Sequence, residues 1–216
     1  MGTLFDRLCD RATLEATWQQ VLKKNARGGL DGRQPPDLEK GIDHILSRLA
    51  DDLRAQKYVP IPYGKGAKPK FDDKNEWRQL SLPAVIDKIV QEAAVSVIEP
   101  VFEREFLDCS YAYCKGKGPV RALKRINHIR RSSPVRWVVT AEIDNFFDSL
   151  DHRVLIDSVA ARIKEPELLN LISLWLQAGI ISIRGDWLEP EEGIAQGAVI
   201  SPLLSNIYLH PLDCFM

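Results

Sequence analysis

The chain has 216 residues, with 29 Lys+Arg against 30 Asp+Glu, a net charge of −1, 45% hydrophobic and 27% charged residues. That balance excludes wholesale disorder, and a chain of this length can bury about 70% of its unfolded surface. Residues 1–10 lack a leader's apolar run, and the apolar stretches 168–183 and 193–212 are too short or are broken by Gly197, Pro202 and Pro211, so neither export nor a membrane span is expected.

Residues 14–24 carry helical spacing and run into a Gly28-Gly29 break. Pro35-Pro36-Asp37 opens a second helix, in which Ile42, Ile45, Leu46, Leu49 and Leu53 recur at three- and four-residue intervals. Residues 58–66, punctuated by Pro60 and Pro62, read as extended or loop. Residues 84–106 form a long apolar helix that Pro100 kinks or divides. A basic helix is expected over 119–131, and the clearest strand over 135–143, which follows Pro134 and is rich in Val. Helices over 154–162 and 165–178 precede a hairpin, 180–184 and 187–188 about Gly185-Asp186. Ser201 is expected to cap a last helix over 201–209, with Pro202 in its first turn. The order is helix-rich first, then mixed strand and helix, which is an α+β chain. Cys9, Cys109, Cys114 and Cys214 are too scattered for a disulfide framework, so a reducing, cytoplasmic setting is expected.

Charge is segregated along the chain. Residues 115–136 hold eight Lys/Arg and no acid, whereas residues 141–157 hold Glu142, Asp144, Asp148, Asp151 and Asp157 against Arg153 alone. A second basic stretch, residues 54–78, holds seven Lys/Arg and three acids. Basic tracts beside concentrated carboxylates fit a site for polyphosphate and metal ions, or else solvated helix faces. Glu142 and Asp144 share one face of the expected strand. Carboxylates there need a positive partner such as magnesium, or else they are solvated and cap the next helix. Gly193–Leu209 offers a glycine-containing loop with Gln196, either a ligand-approaching loop or a structural turn. Lys70 and Arg78 flank an expected hairpin tip that can close over phosphates or stay an exposed basic loop.

In this order the motifs resemble a reverse transcriptase of the group II intron type, including its CRISPR-associated relatives. Gly28-Gly-Leu-Asp-Gly32 looks like the family's N-terminal element. Trp77-Arg78 through Pro83, with Asp87-Lys-Ile-Val-Gln-Glu-Ala93, resembles its fingers block. Asp108-Cys-Ser-Tyr-Ala-Tyr113 with 116–122 resembles the next block, and 142–152 the palm strand carrying the first metal aspartate. Gln196-Gly197 with Ser201-Pro-Leu-Leu-Ser-Asn-Ile-Tyr-Leu209 is similar to the nucleotide-contacting palm block, and is the most specific match. The resemblance implies right-hand polymerase fingers over 1–134 and a partial palm over 135–216 with an incomplete antiparallel sheet. It implies Glu142, the Ile143 carbonyl and Asp144 as metal-contacting positions, with Glu142 and Asp144 catalytic. Lys70 and Arg78 would contact the incoming triphosphate. Gln196 and Gly197 would lie along the nucleotide, and Phe147 would gate the sugar against a 2′-hydroxyl. Lys115, Lys117, Arg121, Lys124 and Arg125 would track the template backbone. The implied partners are an RNA template, a DNA primer and a second polypeptide supplying the rest of palm and thumb.

Two departures qualify what the resemblance implies. The first metal position holds Glu142 where the family has Asp; the added methylene displaces the carboxylate, and Mg²⁺ demands near-ideal geometry at about 2.1 Å. Asp144 is the residue placed to compensate. The family's aromatic-x-Asp-Asp pair is expected shortly after Leu212-Asp213, and the 216 residues contain no such run. Magnesium, or manganese, is therefore expected to be held weakly or not at all by this chain alone, which is not expected to polymerise. The alternative reading is a non-catalytic nucleic-acid-binding or assembly protein on the same scaffold.

Overall fold

The computed structural model of the protein describes residues 2–24, 28–69, 77–181, 185–188 and 190–216. The core is organised about α5 (Val85–Phe102), whose residues Val85, Ile89, Val90, Ala93, Ala94, Val97 and Ile98 are all buried. Apolar side chains spread over most of a helix must be enclosed, and the Glu92, Ser96 and Glu99 side is left more open. α5 is packed against α1 (Leu4–Leu8), α2 (Arg11–Lys23) and α9 (Ser201–Phe215). Pro100 sits inside the last turn of α5 and the helix closes at Phe102, short of the expected 106; a proline there removes one ladder donor.

The other helices are α3 (Pro35–Leu38), α4 (Ile42–Arg54), α6 (Pro119–Ser132), α7 (His152–Ala160) and α8 (Pro166–Gln177). α4 lies on α2, and α7 is packed between α8 and α9. One hydrophobic cluster runs through both halves of the chain, from Leu8, Leu14 and Trp18 to Leu155, Ile172 and Ile207. Long-range polar contacts reinforce it. The amides of Leu4 and Phe5 donate to the Glu165 carboxylate at 2.9 and 2.7 Å, so a side chain 160 residues away satisfies the exposed amides of α1. Gly29 lies so close to the start of α5 that a Cβ would stand 2.5 Å from the Ala84 nitrogen, which reserves the position for glycine.

The sheet contains β1 (Tyr63–Pro69), β2 (Trp77–Leu82), β3 (Ile180–Ile181) and β4 (Trp187–Leu188) in the order β2-β1-β3-β4. β1 and β2 are antiparallel from Gly64↔Leu82 to Pro69↔Trp77; β3 runs parallel to β1, and β4 antiparallel to β3. The helix-rich α+β class of the expected fingers and palm is what the structure shows, with this small sheet mixed in direction.

Two local expectations differ. Residues 135–143 pair with no strand among the described residues, and Trp137, Val138 and Val139 are 88%, 81% and 91% exposed. Both sides of β1 are already taken, by β2 and β3, so that sheet offers this segment no partner in its middle. Ser201 is the first residue of α9 rather than its cap, and its hydroxyl donates to the Ala195 carbonyl at 2.8 Å.

One buried carboxyl ties these layers together. Asp87 accepts from the Tyr58 hydroxyl at 2.6 Å and from the Ile61 amide at 3.0 Å, and Trp175 Nε1 donates to Tyr58 at 3.1 Å. Burial outweighs those bonds and lifts the Asp87 carboxyl from 3.8 to about 6. From pH 4 to 6 the folded chain therefore keeps a proton that the unfolded chain has released. Stability from this group falls as pH rises through that window, by up to about 3 kcal/mol, and the penalty is complete above it. Asp87→Asn is expected to lack that fall. Thermal midpoints of both proteins between pH 4 and 7 measure it, and parallel curves would refute it.

Candidate functional site

An open cleft of about 1080 Å³ lies between the sheet and residues 141–148, with the loop 192–196 as its third wall. Alternate residues of the two longer strands line it, Tyr63 and Lys65 from β1 and Trp77, Gln79 and Ser81 from β2, with Leu80 reaching it as well. That is the period-two alternation of a strand with one face turned to the cleft. Trp175 of α8 and Tyr113 complete the rim.

The opposite wall carries Glu142, Ile143, Asp144, Phe146, Phe147 and Asp148. Asn145 takes a left-handed conformation (φ 46°), which turns the chain from the extended 135–143 segment into a short 3₁₀ turn at Phe146–Asp148. The Phe146 and Phe147 rings meet edge to face at 5.5 Å, and Phe146 contacts Tyr208 of α9 in the same way at 6.4 Å. Phe147 is thus fixed by aromatic packing at the cleft wall.

The third wall is held from several directions. The Ile194 amide donates to the Phe147 carbonyl at 2.6 Å, and the Gly193 amide to the Leu150 carbonyl at 2.7 Å. His152 Nε2 donates to the Gly193 carbonyl at 2.6 Å. From the sheet, the Ser81 amide donates to the Gln196 carbonyl at 2.6 Å. Gly197 follows at φ +106°, and a Cβ there would stand 2.9 Å from the Ser81 carbonyl oxygen. Only glycine meets both demands, so the loop can lie flat on β2 only with glycine at 197. Gln196 and Gly197 also line a second, smaller cavity of about 400 Å³ with Phe147, Tyr113, Lys24 and Lys88.

Glu142, Asp144, Asp148 and Glu192 bring four carboxylates to the cleft, and Lys65 is the described cation facing them from the sheet. Lys65 Nζ donates to Gln79 Oε1 at 3.0 Å. Among the described residues no group of three or more His, Cys, Asp or Glu is close enough to hold a metal ion. The carboxylates present do not by themselves fit a magnesium centre.

The structure brings Glu142, Ile143, Asp144, Phe147 and Gln196 together at one cleft, with Gly197 at the back of the same loop. Lys70 and the Arg78 side chain lie outside the described residues; the Arg78 backbone, in β2, pairs with Lys68 of β1. Lys115, Arg121, Lys124 and Arg125 are exposed on or just before α6, away from the cleft. Lys117 is turned inward, with Nζ donating to the Leu107 carbonyl at 2.9 Å and lying 3.6 Å from Asp108. Sequence reasoning passed over Lys65 and Gln79, although the alternation Tyr63-x-Lys65 and Trp77-x-Gln79-x-Ser81 was there to be read.

Known proteins share the sequence and fold of this chain in part. The pattern of the family described as reverse transcriptase (RNA-dependent DNA polymerase) matches residues 67–215. The chain is similar to Protein YkfC of Escherichia coli K12, at 32% identity over 87% of this chain and 49% of that protein. It is similar to the group II intron-encoded protein LtrA of Lactococcus lactis, at 33% identity over 89% of this chain and 31% of that protein. The chain therefore spans about half or less of the curated relatives it matches. Its fold superposes on a chain of a partial Cas6-RT-Cas1–Cas2 complex with a TM-score of 0.64 at 22% identity, over 99% of this chain and 35% of the other.

Proposed function

Because the chain belongs to the reverse transcriptase (RNA-dependent DNA polymerase) family, of group II intron type, we propose that its cleft receives an incoming deoxynucleotide beside an RNA template and a DNA primer. The observation that carries this reading is the meeting of residues 141–148 with the Gln196 loop across one face of the β1–β2 hairpin. Phe147, locked by Phe146 and bonded through its carbonyl to Ile194, presents a rigid apolar surface to a sugar. Lys65 offers a point charge to phosphates, and Gln79 holds its ammonium in place. Gln196 supplies a neutral donor and acceptor whose backbone is clamped to β2.

Polymerisation by this polypeptide alone is not part of the reading. The 216 residues contain no aromatic-x-Asp-Asp run, and Glu142 stands where the family has Asp. A second polypeptide, or a further segment, would have to supply those carboxylates. Glu142 in place of the family's Asp is the observation that favours the second reading, a binding or assembly role on the reverse transcriptase scaffold.

Photolabelling separates the two. With a primed RNA template and 8-azido-dATP, ultraviolet light is expected to label peptides covering 141–148 and 192–200, and excess dATP to suppress the label. Label on α6 alone, or none that dATP displaces, would overturn the nucleotide-binding reading and leave the scaffold role.

A further inference from the structure

Gln91 lies in the middle of α5, fully buried (0% exposed) among Ile89, Val90, Ala93 and Ala94. A leucine or methionine would fill such a place at lower desolvation cost, so a carboxamide there needs partners. It has one at each end. Its Oε1 accepts from the Val199 amide at 2.9 Å, and its Nε2 donates to the Tyr63 hydroxyl at 3.2 Å. The Tyr63 hydroxyl in turn donates to the Trp175 carbonyl at 3.4 Å. Val199 stands three residues beyond Gln196, Tyr63 is on β1, and Trp175 is on α8. Tyr63, Trp175 and Gln196 all line the cleft; Gln91 does not.

We infer that Gln91 is a positioning residue of the cleft: it fixes the Gln196–Val199 loop to β1 and α8, and so sets where Gln196 meets a nucleotide. This rests on the nucleotide-binding reading above. The loop is caught between one donor and one acceptor. The Ser81 amide holds it at the Gln196 carbonyl from the sheet, and Gln91 holds it at the Val199 amide from the helix. Gly197 lies between those two points and cannot stiffen the backbone by itself, because its φ of +106° is a conformation only glycine visits freely. Without the helix-side bond, Val199 loses its tie to α5 while the Gln196 end stays held at β2, so the stretch between them loosens. No apolar residue at position 91 can replace that bond, since it offers neither an acceptor for the Val199 amide nor a donor for the Tyr63 hydroxyl.

The test uses Gln91→Met, which keeps the volume and loses both bonds, and Gln91→Glu, which keeps acceptors for the Val199 amide and the Tyr63 hydroxyl. Amide hydrogen exchange and 8-azido-dATP labelling are read on the full 216-residue chain. In Q91M the amides of 194–199 are expected to exchange at least tenfold faster while those of α2 and α4 keep their rates, and half-maximal labelling is expected to need about tenfold more nucleotide. Q91E is expected to recover most of both. Unchanged loop exchange in Q91M, or an equal acceleration in α2 and α4, would overturn the inference, as would a loosened loop with unchanged labelling. If wild type takes no dATP-displaceable label while Q91M still frees the loop alone, the nucleotide-binding reading falls and the loop anchor stands.

Discussion

Supplied with a primed RNA template, deoxynucleotides and magnesium or manganese, the 216-residue polypeptide is expected to extend no primer above background. In-line transfer of a nucleotidyl group in this family depends on carboxylates that hold two ions against the attacking and leaving oxygens. The described residues bring Glu142 and Asp144 to the cleft and assemble no group of three ligands. A misplacement on the scale of one methylene, as at Glu142, is enough to lower such a rate by about 100-fold. These 216 residues hold no aromatic-x-Asp-Asp run to add to transition-state stabilisation, which accounts for about a million-fold or more in enzymes generally. Primer extension on denaturing gels reads the outcome. Adding a polypeptide that carries the aromatic-x-Asp-Asp hairpin is expected to raise incorporation, and more so with Glu142→Asp. Templated extension by the 216 residues alone would show that the cleft has carboxylates enough.

The fold was legible where a residue's environment is set by near neighbours in sequence. The apolar repeat Ile42, Ile45, Leu46, Leu49 and Leu53 is helix α4, and Gly185-Asp186 separates two paired strands. It was less legible where a distant segment decides. Residues 135–143 have the composition of a strand, yet strand formation needs a partner edge, and no described strand pairs with them. Ser201 has the chemistry of a cap, but the Ala195 carbonyl takes its hydroxyl. The cleft was half legible. Local motifs marked Glu142, Phe147 and Gln196, whereas Gln91 fell within the fingers-block match with no role attached to it; its role depends on Val199, 108 residues away. Lys117 shows the converse, because its charge counts toward a basic tract in sequence while its ammonium is engaged by Leu107 and Asp108.

That difference sharpens what the basic segment should do. Replacing Lys115, Arg121, Lys124 and Arg125 by Ala is expected to lower RNA affinity by about 100-fold at low salt and to flatten the salt dependence. Each phosphate left without its cation takes about 0.7 from the slope of log K against log[salt] for a single strand, so four such phosphates take about 3. α6 has no buried residue, so these changes leave the core intact. Arg121 gives one donor to the Gly116 carbonyl at 3.2 Å and keeps the rest of its guanidinium for phosphate. Lys117→Ala is expected to behave differently: little change in slope, with a loosened 107–118 turn seen by hydrogen exchange. Anisotropy titrations of a labelled RNA across a range of salt concentrations distinguish the two. The expected affinity is indifferent to RNA sequence, because the exposed side chains on this face are cations suited to phosphates. An unchanged slope in the fourfold variant would move the RNA off α6 and onto the second basic stretch, residues 54–78, where Lys65 faces the cleft.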